Sequence, residues 1–271
     1  METKLSYINK YGAEVAREDQ SHIVDAFCGL LYDKIHEAKD QLIDRFNWIA
    51  SQDPKSASFM YDNHTMAGYK KEEGIRSALM HGTLAIGSLG LAETLEILIG
   101  CNHTKPEGME LGKRIYKMFE DLCSQFKKEY KLNFGVYLTP AENLAFTAMK
   151  KFQAKYGVIP KVSDKEYFTN SIHVPVWENV DPFEKVEIES QLTGYSSAGC
   201  ITYVELEGSV INNIEALEEI VDDMMEKDIP YGAINIPNDF CEECSFTGYI
   251  PEDLCPQCGC TRIKRLARVT G

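Results

Sequence analysis

The sequence predicts an α/β protein of parallel βα units, closed by a small four-cysteine module. Three observations predict it. Short apolar segments alternate with segments of helical period along the 271 residues. The strand segments are apolar on both faces, as in a barrel or a doubly wound sheet. Two C-x-x-C pairs stand close together near the C-terminus, Cys241 with Cys244 and Cys255 with Cys258.

The elements follow in order. Residues 21–50 read as one long helix, because Ile23, Phe27, Leu30, Leu31, Ile35, Ala38, Leu42 and Phe46 recur at three- and four-residue spacing. Residues 51–74 are polar and broken by Pro54 and Gly68, which predicts a connection. Residues 81–90 (HGTLAIGSLG) read as a buried strand and 91–99 as a helix. A second amphipathic helix spans 107–130, with Met109, Leu111, Ile115, Met118, Phe119, Leu122 and Phe126 as its stripe. Strand 132–138, helix 140–156, an extended piece at 167–177, strand 200–206, an acidic helix at 213–227 and strand 231–236 complete the alternation. The composition changes at Pro237, where the cysteine pairs begin, so the expected organisation is 1–236 and 237–271.

Composition excludes several classes. Hydrophobic residues make up 44% and charged residues 26%, enough for a sizeable core. No run of 18 apolar residues predicts a membrane span, and the first residues lack the apolar core of a signal peptide. The formal charge of −14 argues against a long basic groove for nucleic acid. Nine cysteines without an export signal predict reduced thiols and a cytoplasmic protein.

Each C-x-x-C pair can wrap one face of a metal ion, and two facing pairs complete a tetrahedron of thiolates. Zn²⁺ suits four thiolates better than iron does. With no open coordination position it is structural. Two unrelated buried or redox pairs are the alternative. Gly259 follows Cys258 as in a typical knuckle, whereas Ser245 follows Cys244. Cys260 reads as a spare thiol and Cys200 as a core thiol.

The turn Leu138-Thr139-Pro140-Ala141-Glu142 joins a strand to a helix. Thr139 fits the N-cap, Pro140 the first helical position and Glu142 a capping box. Free amides at the same place also bind phosphate, although the Glu142 carboxylate opposes an anion there. His81 and His173 lie beside or within apolar segments and read as hydrogen-bonded core residues.

Several pieces then match one family in order: HGTLAIGSLGLAETL (81–95), LTPAENL (138–144), YFTNSIHVPV (167–176), AGCITYVEL (198–206), YGAINIPNDFCEECSFTGYI (231–250) and CPQCGCTRIKRLARVTG (255–271). This succession resembles the C-terminal part of the anaerobic (class III) ribonucleoside-triphosphate reductases, the glycyl-radical ribonucleotide reductases. The resemblance implies the second half of a ten-stranded α/β barrel, followed by a zinc-ribbon-like module. It puts the zinc thiolates on Cys241, Cys244, Cys255 and Cys258. It puts the radical glycine on Gly271, in Arg268-Val269-Thr270-Gly271. It also favours Thr139, Pro140, Ala141 and Glu142 as the turn whose amides meet the substrate phosphates.

The activity implied is reduction of ribonucleoside triphosphates to 2′-deoxyribonucleoside triphosphates. In that family a radical S-adenosylmethionine activating enzyme installs the glycyl radical. A cysteine on a central loop does the hydrogen abstraction, formate or thiols supply electrons, and the complete enzyme is a homodimer. ATP and deoxynucleotide effectors bind elsewhere, on an N-terminal regulatory domain. The loop cysteine precedes the region that resembles this chain, and none of the nine cysteines matches it. The chain alone is therefore expected to be inactive and to need the N-terminal half. The alternative is a non-catalytic nucleotide-binding or activase-docking relative that keeps the structural zinc site.

Overall fold

The computed structural model describes residues 1–11, 20–138, 140–206, 210, 213–236, 238–250 and 252–265. It is a mixed α/β structure whose contacts divide into two units. The first comprises Met1–Ser88, Thr94–Leu138 and Tyr195–Gly199, and the second Leu89–Glu93, Thr139–Gly194 and Cys200–Gly271.

In the first unit, α1 (Glu2–Tyr11) precedes the long helix α2 (Gln20–Ala50). The α2 stripe is narrower than its apolar spacing predicts. Ile23, Val24, Cys28, Ile35, Lys39 and Phe46 are buried, while Leu30 faces outward. Lys39 belongs to the stripe because its stem is apolar and its ammonium finds partners. It pairs with Asp40, lies 3.1 Å from the Tyr130 hydroxyl and stacks over the Phe126 and Tyr130 rings.

The expected connection at 51–74 contains a 3₁₀ turn (Pro54–Ala57) capped by Asp53, and the short helix α3 (Ser58–Asp62). Tyr61 of α3 packs with Ile75 and Ala78 of α4 (Ile75–Leu79), which is why this polar stretch is ordered. His81, expected in the core, is exposed, because the strand starts two residues later.

Strand β1 (Thr83–Gly87) and helix α5 (Leu91–Ile99) lead to α6 (Pro106–Tyr130). Pro106 fits the first turn of α6, and Lys131 ends it in a left-handed conformation. Gly108 lies so close to the preceding loop that a β-carbon there would stand 2.0 Å from the Asn102 carbonyl oxygen. Ile115, Tyr116, Phe119, Leu122 and Phe126 form the buried face of α6. Phe126 meets Phe134 of β2 (Asn133–Tyr137) edge-on at 5.6 Å. β1 and β2 pair in parallel, Thr83 opposite Asn133, with α5 and α6 forming the crossover between them. The other edge of β2 is taken by 197–199: the Ser197 and Ala198 amides donate to the Val136 carbonyl, and the Leu138 amide donates to the Gly199 carbonyl.

The second unit contains α7 (Glu142–Tyr156), α8 (Pro182–Thr193), the parallel pair β3 (Thr202–Glu205) and β4 (Gly232–Asn235), and α9 (Ile214–Glu226). Its core gathers Val186 of α8, Val204 of β3 and Ile220 and Met224 of α9. The α8 helix starts at an Asp181 N-cap whose carboxylate accepts from the Glu184 amide.

The segment expected to be extended at 167–177 forms no strand. It is buried, irregular and held by carboxylates. Glu93 Oε1 accepts from the Thr169 amide and hydroxyl at 2.9 and 2.7 Å, and Glu189 Oε1 accepts from the Val174 amide at 3.0 Å. Backbone donors that a neighbouring strand normally satisfies are satisfied here by side chains.

The unit ends in a three-stranded antiparallel sheet of order β6-β5-β7, with β5 at Asp239–Cys241, β6 at Thr247–Gly248 and β7 at Ile263–Lys264. No helix among the described residues is long and apolar enough to cross a membrane.

Candidate metal centre

The two cysteine pairs are brought together by two knuckles of the same construction. Strand β5 delivers Cys241, and the chain turns so that the Ser245 amide donates to the Cys241 carbonyl at 3.0 Å. Fourteen positions later the Gly259 amide donates to the Cys255 carbonyl at 2.8 Å. The Cys241 amide donates to the Phe246 carbonyl, and the Cys255 amide to the Cys260 carbonyl. The second sulfur of each knuckle also receives an amide from two residues on, Phe246 to Cys244 and Cys260 to Cys258.

The four sulfurs lie within 4.8 Å of one another, with Cys241 to Cys258 at 3.6 Å and Cys244 to Cys255 at 3.5 Å. A tetrahedron with metal–sulfur bonds of about 2.3 Å has edges of about 3.8 Å. The donor set therefore fits a divalent ion coordinated by four thiolates. Cys241 and Cys255 are buried, Cys244 is partly buried and Cys258 is exposed.

Electrostatics point the same way. The Cys244 amide, then the Glu243 amide, hold the Cys241 thiol down to about 6, against its burial. At Cys258 the Cys260 amide lowers the thiol, but local desolvation and the neighbouring sulfurs of Cys244, Cys241 and Cys255 outweigh it and push it up to about 12. Sulfurs this close cannot all ionise without a cation among them. Cys260 takes no place in the cluster, and its sulfur accepts from the Arg262 amide at 3.2 Å.

The other predicted site residues fare differently. Thr139 and Gly271 lie outside the described residues. The helix after the turn begins at Glu142 with Ala141 as its N-cap, so the expected cap at Thr139 is displaced by two positions. Ala141 has no side-chain oxygen to offer, and its carbonyl accepts from the Ala145 amide at 2.8 Å. The first amides of α7 therefore receive no hydrogen bond from their N-cap side chain. Pro140 precedes this N-cap. Cys200 is buried, as expected.

His173 is a buried core residue, as its setting predicts, and its partner is one that sequence reasoning missed. Its Nδ1 lies 3.2 Å from Oε2 of the fully buried Glu189, whose other oxygen, Oε1, lies 3.2 Å from the Lys185 ammonium. Burial alone pushes the Glu189 pKa up. The His173 and Lys185 charges, with the bonds from His173 and Val174, overcome this and hold it at about 2. The available signal was an acid on the apolar side of its helix, since Val186, Glu189 and Leu192 share one face.

Fold and site together define an α/β chain that carries a module of four clustered cysteines able to hold a metal ion. The family described as "Anaerobic ribonucleoside-triphosphate reductase" matches residues 12–271. The chain belongs to the anaerobic ribonucleoside-triphosphate reductase family. It is 29% identical over 258 residues to the reductase of that name from Salmonella typhimurium, covering 91% of this chain and 36% of that one. A solved structure described as an anaerobic ribonucleotide reductase matches 90% of this chain and 36% of its own, with a TM-score of 0.70 at 19% identity. The Thermotoga maritima anaerobic ribonucleotide reductase in complex with dATP and CTP matches 94% of this chain and 40% of its own, with a TM-score of 0.67 at 20% identity. The α/β fold is thus that of these reductases, over little more than a third of their length.

Proposed function

We propose that this chain is the C-terminal portion of an anaerobic ribonucleoside-triphosphate reductase, working in the cytoplasm together with the N-terminal portion. The observation that carries the reading is the family match over residues 12–271, which includes the four clustered thiolates. In this reading Cys241, Cys244, Cys255 and Cys258 hold a structural Zn²⁺, which supplies a rigid cross-link and no open coordination position. Gly271 is the position at which an activating enzyme of the radical S-adenosylmethionine type generates the glycyl radical. The turn at Thr139, Pro140, Ala141 and Glu142 receives the substrate phosphates. The amides of α7, which Ala141 does not cap, support that role. Reduction of the ribose belongs to the complete homodimeric enzyme. This chain's share is to hold the triphosphate and to carry the radical glycine on a fixed module.

The test joins the chain to the N-terminal portion of a family member. The joined protein is incubated anaerobically with the activating enzyme, S-adenosylmethionine and reductant. A glycyl doublet in electron paramagnetic resonance and formation of deoxynucleotide are expected. The chain alone is expected to form no deoxynucleotide, because none of its cysteines matches the abstracting one. A joined protein that gives neither doublet nor product overturns the reading.

A further inference from the structure

Arg265 is the last described residue before the segment that carries Gly271, and both terminal nitrogens of its guanidinium donate hydrogen bonds. Nη1 donates to Asp239 Oδ2 at 3.2 Å and to the Ile250 carbonyl at 2.8 Å. Nη2 donates to the Glu252 carbonyl at 3.1 Å and to Asp253 Oδ1 at 2.8 Å. These acceptors belong to two stretches of chain. Asp239 opens β5, which runs into the metal-ligating candidate Cys241. Ile250, Glu252 and Asp253 precede Cys255, the first cysteine of the second pair. Asp239 Oδ2 also accepts from the Ile250 amide at 3.0 Å, so a single oxygen joins all three partners.

We propose that Arg265, which precedes the segment carrying Gly271, is a positioning residue clamped to the two stretches ending in Cys241 and Cys255. A filled four-cysteine site then helps to fix Arg265, the residue that precedes that segment. The proposal rests on the reading of Gly271 as the radical position.

Two physical facts separate this from an ordinary surface ion pair. The Asp239 side chain is only 3% exposed, so its charge needs donors and cannot turn to water instead. The guanidinium makes a fork to both stretches at once, which a lysine ammonium cannot reproduce. By contrast the Asp253 side chain is 94% exposed, and its pairing contributes little. The two stretches are already joined by the pairing of Asp239 with Gly248, and a metal among the sulfurs adds a second tie between them through Cys241 and Cys255. Arg265 thus ties the residue that precedes the segment carrying Gly271 to both stretches that lead to the metal site.

The test uses this chain with added Zn²⁺, metal analysis and amide hydrogen exchange over residues 246–265. Stripping the metal from the wild type is expected to speed exchange at the Ile250 amide by about tenfold or more. Arg265→Ala is expected to keep its metal and still speed exchange there by about tenfold, the loss of one charged hydrogen bond. Arg265→Lys is expected to resemble the alanine variant, and Asp253→Asn the wild type. Metal-loaded Arg265→Ala with wild-type exchange overturns the proposal. So does loss of the metal in that variant, which would make Arg265 a plain folding residue, and so does full rescue by lysine. In the joined reductase, Arg265→Ala is expected to weaken the glycyl doublet at unchanged metal content. An undiminished doublet overturns the link to Gly271. A doublet absent from the wild type as well defeats the reductase reading instead, and exchange still decides the clamp.

Discussion

Ser245 and Gly259 occupy equivalent places in the two knuckles, and both are left-handed, with φ of 60° and 71°. Each follows the second cysteine of its pair, and each amide closes back on the carbonyl of the first. The first knuckle thus holds a serine in a conformation that favours glycine.

Replacing Gly259 by alanine adds a β-carbon that meets no atom within 4 Å, so its cost is purely backbone strain. A loss of about 1–2 kcal/mol in module stability is expected. Ser245→Gly, by contrast, relieves strain in the fold while loosening the unfolded chain, and its net effect is expected to stay within about 1 kcal/mol. Chelator competition on both variants checks the pair. A Ser245→Gly variant that loses metal faster than Gly259→Ala contradicts the equivalence.

The double variant Cys255→Ser, Cys258→Ser removes half of the thiolate set and is expected to bind no zinc, against about one equivalent in the wild type. Metal analysis decides this, and full occupancy in the variant refutes the four-thiolate assignment. Circular dichroism is expected to retain the helical signal, because the described helices lie outside the module.

Glu189 makes stability depend on acid. Its pKa falls from the ordinary 4.5 to about 2 on folding, so the stabilisation is fully present above 4.5 and drains away as pH falls towards 2. Glu189→Gln leaves His173 and Lys185 without their carboxylate, and about 3 kcal/mol of destabilisation at neutral pH is expected. Urea midpoints at pH 6 and pH 3 test both points. The wild type should lose more stability between them than the variant does, and parallel losses would exclude Glu189 as the titrating group.

Gly108→Ala drives a β-carbon into the Asn102 carbonyl, which is main chain and cannot swing aside. Overpacking of this kind costs about 1–3 kcal/mol. An unchanged thermal midpoint would show that the 102–108 turn yields more easily than its contacts indicate.

What could be read from the sequence was local. The cysteine spacing and the long stripes of α2 and α6 declare themselves within a few turns of chain, and the structure brings the cysteines together and forms both helices, with a narrower buried stripe on α2. The coil at 167–177 was misread because its donors are answered from afar, at Thr169 by Glu93 and at Val174 by Glu189. No window of neighbouring residues contains that information. The α8 helix was not read, since Val186, Ile188 and Leu192 give it only a thin apolar face, although Asp181-Pro182 marks its start. Arg265 was missed for the first reason again, because its partners Asp239 and Ile250 lie far back along the chain.

The β1–β2 pairing has a kinetic consequence. Thr83 cannot meet Asn133 until the long α6 helix between them has turned the chain back on itself. Loop closure over such a span is slow. In the module, Phe240 meets Thr247 after a single short turn and Lys264 soon afterwards. Although it is the last of the described elements to be synthesised, the cysteine module is expected to close first once a metal ion is at hand. The parallel pairs would then form around finished helices at their own slower pace.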